Sequence, residues 1–387
     1  MNVYVDNNAT TALAPEVLEA MQACLSECYG NPSSKHRIGE AAKQRVMGAR
    51  SKVAALLNAS PAEIVFTGSA TESNHMAILG TLARDRTKRH LITTAVEHPS
   101  TRMLYSQLAA EGVMVSEIGV DSDGLIDVAE LKAAIRTDTA LISMMWANNE
   151  TGAIHPVEEA AEIAASCGIA FHTDAVQAAA HLSIDMRVVK ADLLSLSGHK
   201  LHAAKGIGVL YARKGLKLAP LLYGHQERGR RGGTENVAAI AGLGVAAELI
   251  RSYLVSGSQR LAALRDRLEL GILKRFPYAL VNGSKVKRLA NTSNIRFGRI
   301  DAEIILDRLD KAGIFASSGS ACTAGSTEPS HVLLAMGQER AEALASVRFS
   351  LSRYSTEAEM ERILAVLPGI VEPLFAHESK SLMEYTA

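Results

Sequence analysis

The sequence lacks a charge imbalance: 41 basic residues meet 41 acidic ones, and the formal net charge at pH 7 is zero. No global field exists to recruit nucleic acid or an anionic membrane surface. Cysteine is scarce as well. The thiols of Cys24, Cys28, Cys167 and Cys322 form no CxxC pair and no zinc spacing, which argues against a disulfide framework. No apolar run is long enough to span a bilayer. The opening MNVYVDNNATT has neither the basic nor the apolar region of a signal peptide. Internal repeats and low-complexity tracts are missing too. These absences leave a cytoplasmic, enzyme-sized protein with free thiols.

What is present is apolar mass in a regular rhythm. The chain has 387 residues, of which 48% are apolar, more than one compact core usually holds. Short apolar runs predict strands at Ile64–Thr67, His90–Ala95, Val113–Ile118, Ala140–Trp146, Ala170–Thr173, Leu193–Ser197 and Gly208–Ala212. Amphipathic stretches such as Glu130–Arg136 and Val157–Ser166 alternate with them. That alternation predicts a mostly parallel sheet covered by helices. A helix over Val237–Ser256 leads into a charged amphipathic stretch, Arg260–Phe276, suited to joining two domains. Beyond it, Asn291–Phe297, Asp301–Lys311, Val347–Leu351 and Glu357–Val366 read strand, helix, strand, helix, a smaller α+β domain. The polar tail from His377 is expected to fray.

Two strands break off into chemistry. FHTDAVQ delivers Asp174, and LSLSGHK delivers Lys200, 26 residues later (200 − 174), about one strand–helix–strand unit. That spacing puts a carboxylate and an amine at the same end of neighbouring parallel strands, where open α/β sheets keep ligands. The pair suits pyridoxal phosphate: the lysine forms the Schiff base and the acid pairs with the pyridinium nitrogen.

Other segments fall into place around that pair. Ile64–Thr67 runs through Gly68, Ser69, Ala70 and Thr71 into a helix beginning near Glu72, a ready phosphate cradle or an ordinary N-cap. Ser197 and His199 precede the lysine and can serve the same phosphate. Gln177 lies three residues past Asp174 and can reach a ring hydroxyl. One of Asn148 and Asn149 can reach the ring or substrate, although NNETG is also good turn chemistry. His98 reads equally as a ring-stacking imidazole or as a loop histidine. Alternation along VRFSLSR puts Arg348, Ser350 and Ser352 on one face, where Arg348 is either a carboxylate clamp or a surface cation. Cys322 sits amid the small polar residues of ASSGSACTAGSTEPS, a reachable nucleophile or an incidental thiol, whereas Cys24, Cys28 and Cys167 read as packing residues. GHQERGRRGGTEN is a phosphate clamp, a nucleic-acid patch or a subunit contact; zero net charge and the lack of interleaved aromatics disfavour the second.

Taken together, YGNPSSKH, ATESN, EHP, MWANNETG, FHTDAVQA, SLSGHKLHAAKGIGVLY, HQERGRRGGTEN and SSGSACTAGSTEPSHV resemble the cysteine desulfurases, the NifS/IscS-type branch of class V aminotransferases, and the nitrogen-fixation type above all. The likeness runs from Tyr4 to Glu359, with Ala204 and Tyr223 departing from the usual proline and glycine. It implies a fold-type I transferase with a large domain over residues 14–258 and a small one over 1–13 plus 259–387. Lys200 would carry the cofactor and Asp174 its ring nitrogen; His98 would stack on the ring; Gln177 and Asn149 would bond its edge. Ala70, Thr71, Ser197 and His199 would hold the phosphate, and Thr234 would reach the cofactor of a second subunit, so the site needs a homodimer. Arg348, with Asn149, would bind the carboxylate of L-cysteine, Lys200 and His98 would serve catalysis, and Cys322 would take the sulfur as a persulfide. The persulfide would pass to an iron–sulfur scaffold or other acceptor, so that Cys322 meets metal only transiently. A selenocysteine lyase, or another PLP lyase or aminotransferase, is the alternative.

Overall fold

The computed structural model describes residues 2–318 and 328–385. Its strands are β1 Val3–Tyr4, β2 Ile64–Thr67, β3 His90–Thr94, β4 Met114–Ile118, β5 Thr139–Met145, β6 Ala170–Asp174, β7 Leu193–Ser197, β8 Gly208–Ala212, β9 Ala279–Asn282, β10 Thr292–Phe297, β11 Ile314–Phe315 and β12 Ser346–Ser350. Seven of them form one sheet in the order β2-β8-β7-β6-β5-β3-β4. Only β8 runs against its neighbours. Every residue of β2, β3, β5, β6, β7 and β8 is buried, which is why these strands read as continuous apolar runs rather than alternating ones. The mixed α/β architecture and mostly parallel sheet are those expected from the sequence.

Two apolar cores are separate. One gathers Ile142, Phe171, Leu194 and Val209 of the sheet with Val46, Val53, Leu243 and Ala247 from the helices Arg37–Leu56 and Val237–Tyr253. The other gathers Val3 and Val5 with Leu264, Leu268, Ile295, Phe297, Phe349 and Ile363. It lies under the antiparallel sheet β12-β10-β9 and the parallel pair β1-β11. No single helix among the described residues is long and apolar enough to cross a membrane.

Some expectations shift. The connection from Asp174 to Lys200 holds only a short 3-10 turn, Ala178–Ala180, in place of a crossover helix. The helix after Gly68 starts at Ala70, two residues early, because Ser69 supplies the cap by accepting from the Glu72 backbone N–H. The last helix does not stop before Pro368 but continues to Tyr385, so the expected frayed tail continues the helix instead. Cys167 is exposed at a helix C-terminus rather than packed, while Cys24 and Cys28 are buried as expected.

Candidate active site

Parallel pairing brings the two chemical strand ends side by side. Asp174 is the last residue of β6 and stands opposite Ser195 of β7, two residues before that strand ends and five before Lys200. Between the strand ends and the first turn of the helix Ala70–Arg84 lies a cavity of about 480 Å³, within the size range of small-molecule and cofactor sites. Its walls include Ala70, Thr71, His98, Asn149, Asp174, Gln177, Ser197, His199, Lys200 and Arg348. Of the residues to which the family resemblance gives a role, two are not in that lining. Thr234 is exposed and outside the lining. Cys322 lies outside the described residues.

The acid is fixed before any ligand arrives. Asp174 Oδ2 accepts from Asn74 Nδ2 at 2.7 Å, and Oδ1 accepts from the Val176 backbone N–H at 2.9 Å. Asn74 itself is held by the helix and by Thr101, and its Oδ1 is buried without a partner. Asn74 went unremarked as a site residue. The signal was available in ATESN, because 74 is one helical turn beyond Ala70 and Thr71.

The amine is held by the N-terminal segment. Lys200 Nζ donates to the Ala9 carbonyl at 2.6 Å and to the Asn8 carbonyl. Gln177 Nε2 donates to the same Asn8 carbonyl at 3.0 Å. The turn NNETG divides its labour. Asn148 Oδ1 accepts from the Glu150 and Thr151 backbones and is a buried turn residue, leaving Asn149 at the cavity.

Beside the lysine, burial together with the charges of Lys200, Lys205 and His98 pulls His199 down to about 4. The ring is therefore neutral at pH 7, with one N–H to give. Its Nδ1 lies 3.1 Å from the Thr10 hydroxyl. At the helix N-terminus the backbone packs closely: a Cβ on Gly208 would come within 2.4 Å of the Ser69 carbonyl carbon.

His98 caps the helix Pro99–Ala110 by accepting from the Ser100 N–H. Its pKa falls below the ordinary imidazole value chiefly through burial, against the pull of Asp174. Its neighbour Glu97 is completely buried and was not marked by sequence reasoning. Glu97 Oε1 accepts from the Thr94 hydroxyl at 2.7 Å and the Met145 N–H at 2.8 Å, while Oε2 has no partner. Burial pushes this carboxyl up to about 8, so it is largely protonated at neutral pH.

Arg348 is not a surface cation: its side chain is 1% exposed. The expected alternation holds, with Phe349 and Leu351 in the second core and Ser350 facing the N-terminal segment, where its hydroxyl accepts from the Asn8 N–H. The guanidinium reaches the cavity with Nη1 on the Asn149 carbonyl at 2.9 Å and Nη2 on Asp6 Oδ1 at 2.6 Å. The Arg348 backbone exchanges hydrogen bonds with Ser317, five residues before Cys322 in the sequence. Further along the chain, the Ser330 hydroxyl donates to the buried Glu150 Oε2 at 2.5 Å.

The glycine-rich segment Gly224–Asn236 is also pinned. Glu227 is buried and takes both Arg50 Nη atoms, at 2.7 and 2.6 Å, and the Phe66 N–H at 3.0 Å. That anchorage holds Glu227 and Arg228 at φ of +48° and +60°, unusual for residues with side chains. Tyr223 just before it is 86% exposed. Among the described residues no cluster of three or more His, Cys, Asp or Glu side chains could hold a metal ion.

Comparison with known proteins agrees with this geometry. Residues 3–363 match the family described as Aminotransferase class-V. "Cysteine desulfurase 2" of Trichormus variabilis is 52% identical over 375 residues, covering 97% of this chain and 94% of that protein. "Cysteine desulfurase NifS" of Azotobacter vinelandii is 49% identical, covering 96% and 93%. A solved structure of a "NIFS-like protein" superposes with a TM-score of 0.91 at 36% identity, covering 97% of this chain and all of that one. A sheet that joins an acid to a lysine, a buried arginine across the cavity, and a match over nearly the whole length lead to one conclusion: the chain belongs to the class V aminotransferase family, among its NifS-like cysteine desulfurases.

Proposed function

We propose that the protein is a pyridoxal-phosphate-dependent cysteine desulfurase that converts L-cysteine to L-alanine and leaves the sulfur as a persulfide on Cys322. The observation that carries this reading is the cavity itself, with Asp174 and Lys200 on one wall and Arg348 on another. Its residues fit the cofactor: a carboxylate fixed by Asn74, a primary amine, a helix N-terminus at Ala70 and Thr71, and a neutral His199. When bound, the cofactor withdraws electron density from the substrate's α-carbon. Everything else is the work of the chain. Asp174 keeps the ring nitrogen protonated. Arg348 and Asn149 orient the substrate carboxylate. Lys200 Nζ takes the α-proton.

Sulfur transfer belongs to Cys322. Its thiolate attacks the substrate Sγ, the S–S bond forms, the Cβ–Sγ pair stays with carbon, and that carbon gains a proton on the way to alanine. Cys322 follows Ser317 by five residues in the sequence, and Ser317 pairs with Arg348. The persulfide then goes to an iron–sulfur scaffold or another acceptor, nitrogenase maturation being one such use. We take residues 14–258 as the cofactor domain and 1–13 with 259–387 as the small domain, consistent with the two cores. Thr234 serves the cofactor of a second subunit in a homodimer. The exposed Leu222 and Tyr223 beside its segment support that contact. A cytoplasmic setting suits free thiols.

Two variants test the reading. Purified protein is reconstituted with pyridoxal phosphate, given L-cysteine, and assayed for alanine and sulfide. Cys322→Ala should keep the yellow chromophore and lose sulfur release, and Lys200→Ala should lose both. Undiminished sulfide from the Cys322 variant would refute the nucleophile, and a colourless wild type would refute the cofactor.

A further inference from the structure

The motif YVDNNATT marks a segment that the reaction as written does not use. Its backbone lies along β12: Ser350 N–H donates to the Val5 carbonyl, Asn7 N–H donates to the Ser350 carbonyl, and Asp6 bridges Ser350 in parallel register. That lacing places the Asp6 carboxylate on Arg348 Nη2 at 2.6 Å, while the Asn149 carbonyl takes Nη1 at 2.9 Å. A guanidinium is planar, with its donors in a fixed fork, so two acceptors of fixed position define its plane. The Arg348 backbone is fixed as well, through Ser317 on one side and Asn294 of β10 on the other. Asp6 is in turn held locally. Its carbonyl accepts from Ala9 N–H at 3.1 Å and from the Tyr4 hydroxyl at 3.1 Å. Burial, with the Asp6 charge beside it, pushes that phenol up to about 12, so it remains a donor.

We infer that Asp6 is a positioning residue for substrate recognition: it orients the buried Arg348 guanidinium so that the fork meets the α-carboxylate of an amino acid. The inference rests on Arg348 being the carboxylate clamp of the proposed function. Asp6 need not touch the substrate. A role exerted through Arg348 alone makes two demands. Binding of the carboxylate should suffer while the chemical step does not, and removing Asp6 should matter only while Arg348 is present.

The experiment is a double-mutant cycle on the reconstituted holoenzyme with L-cysteine. Asp6→Ala should raise KM about ten-fold, the scale of one charge-assisted hydrogen bond, with kcat within about two-fold. Asp6→Ala combined with Arg348→Ala should match Arg348→Ala alone. An unchanged KM in Asp6→Ala, a fall confined to kcat, or effects that multiply in the double variant would overturn the assignment. If Asp6→Ala does not fold, Asp6→Asn, which keeps an oxygen acceptor, should raise KM about three-fold, and an unchanged KM overturns the assignment there too. Thermal stabilisation of the holoenzyme by L-alanine, against L-alaninamide as the carboxylate-free probe, reads the same cycle without turnover. The preference for L-alanine should shrink in the Asp6 variant, and an intact preference would count against the role. A wild type that released no sulfur would refute the proposed function alone, because the alanine comparison would still decide the role of Asp6.

Discussion

Replacing Glu97 by Gln should make the protein's stability less sensitive to pH. Glu97 is 1% exposed, its Oε1 is committed to Thr94 and Met145, and its Oε2 has no partner, so the neutral acid is the form that the fold tolerates. Burial raises its pKa from 4.5 to about 8. Between those values the folded state holds a proton that the unfolded state releases. The stability Glu97 contributes is fully present below about 4.5 and is lost as pH rises through about 8. The slope in that window approaches 1.4 kcal/mol per pH unit, so from pH 5 to pH 7 the wild type should lose about 3 kcal/mol relative to Glu97→Gln. The buried His155 and His172, pulled to about 4 and about 3, titrate with the opposite sign, but they are common to both proteins and cancel in the difference. Urea denaturation of both proteins at pH 5, 6, 7 and 8 measures it. A wild-type-minus-variant difference that stays flat across that range would show that Glu97 is ionised in the folded protein.

Three further outcomes follow from contacts described above. Asn74→Ala removes the 2.7 Å hydrogen bond to Asp174 and should weaken pyridoxal phosphate binding about ten-fold, read by absorbance titration of the apoprotein; equal affinity would mean that Asp174 is oriented without it. Glu227→Ala leaves the mostly covered Arg50 with only the Ile64 carbonyl and frees the Phe66 N–H, and should cost about 2 kcal/mol by denaturation, a loss under about 0.5 kcal/mol being inconsistent with that anchorage. Tyr223→Asp should shift sedimentation toward a monomer and reduce sulfur release, whereas an unchanged mass would move the subunit contact elsewhere.

Much of this site is legible in the sequence because its parts end buried strands. Asp174 and Lys200 announce themselves where apolar runs turn polar, and the parallel register does the rest. Arg348 is harder: alternation gives its face, but only the segment packed over β12 makes it a buried cation. The role of residues 6–9 is illegible locally, because Asp6 meets Arg348 and Ala9 meets Lys200 across separations of 342 and 191 residues. Asn74 and Glu97 are hidden for another reason. Each lies inside a motif whose neighbour carries the more familiar chemistry, and burial, which decides their behaviour, does not show in residue identity. The last helix is expected over Glu357–Val366, yet it runs on past Pro368 and Pro373, residues that usually disfavour a helix interior.

The pairing of β1 with β11, Val3 with Ile314, has a temporal consequence. On the ribosome, the first residues emerge long before the strands that receive them. The large sheet is complete in the chain by Ala212, but Arg348 can meet its N-terminal partner Asp6 only after β12 at Ser350 has been made. Closing so long a loop is slow, and it comes late. A truncated chain would therefore hold most of the cavity walls without the contact between Asp6 and Arg348. Assembly of the site thus registers that synthesis has passed β12.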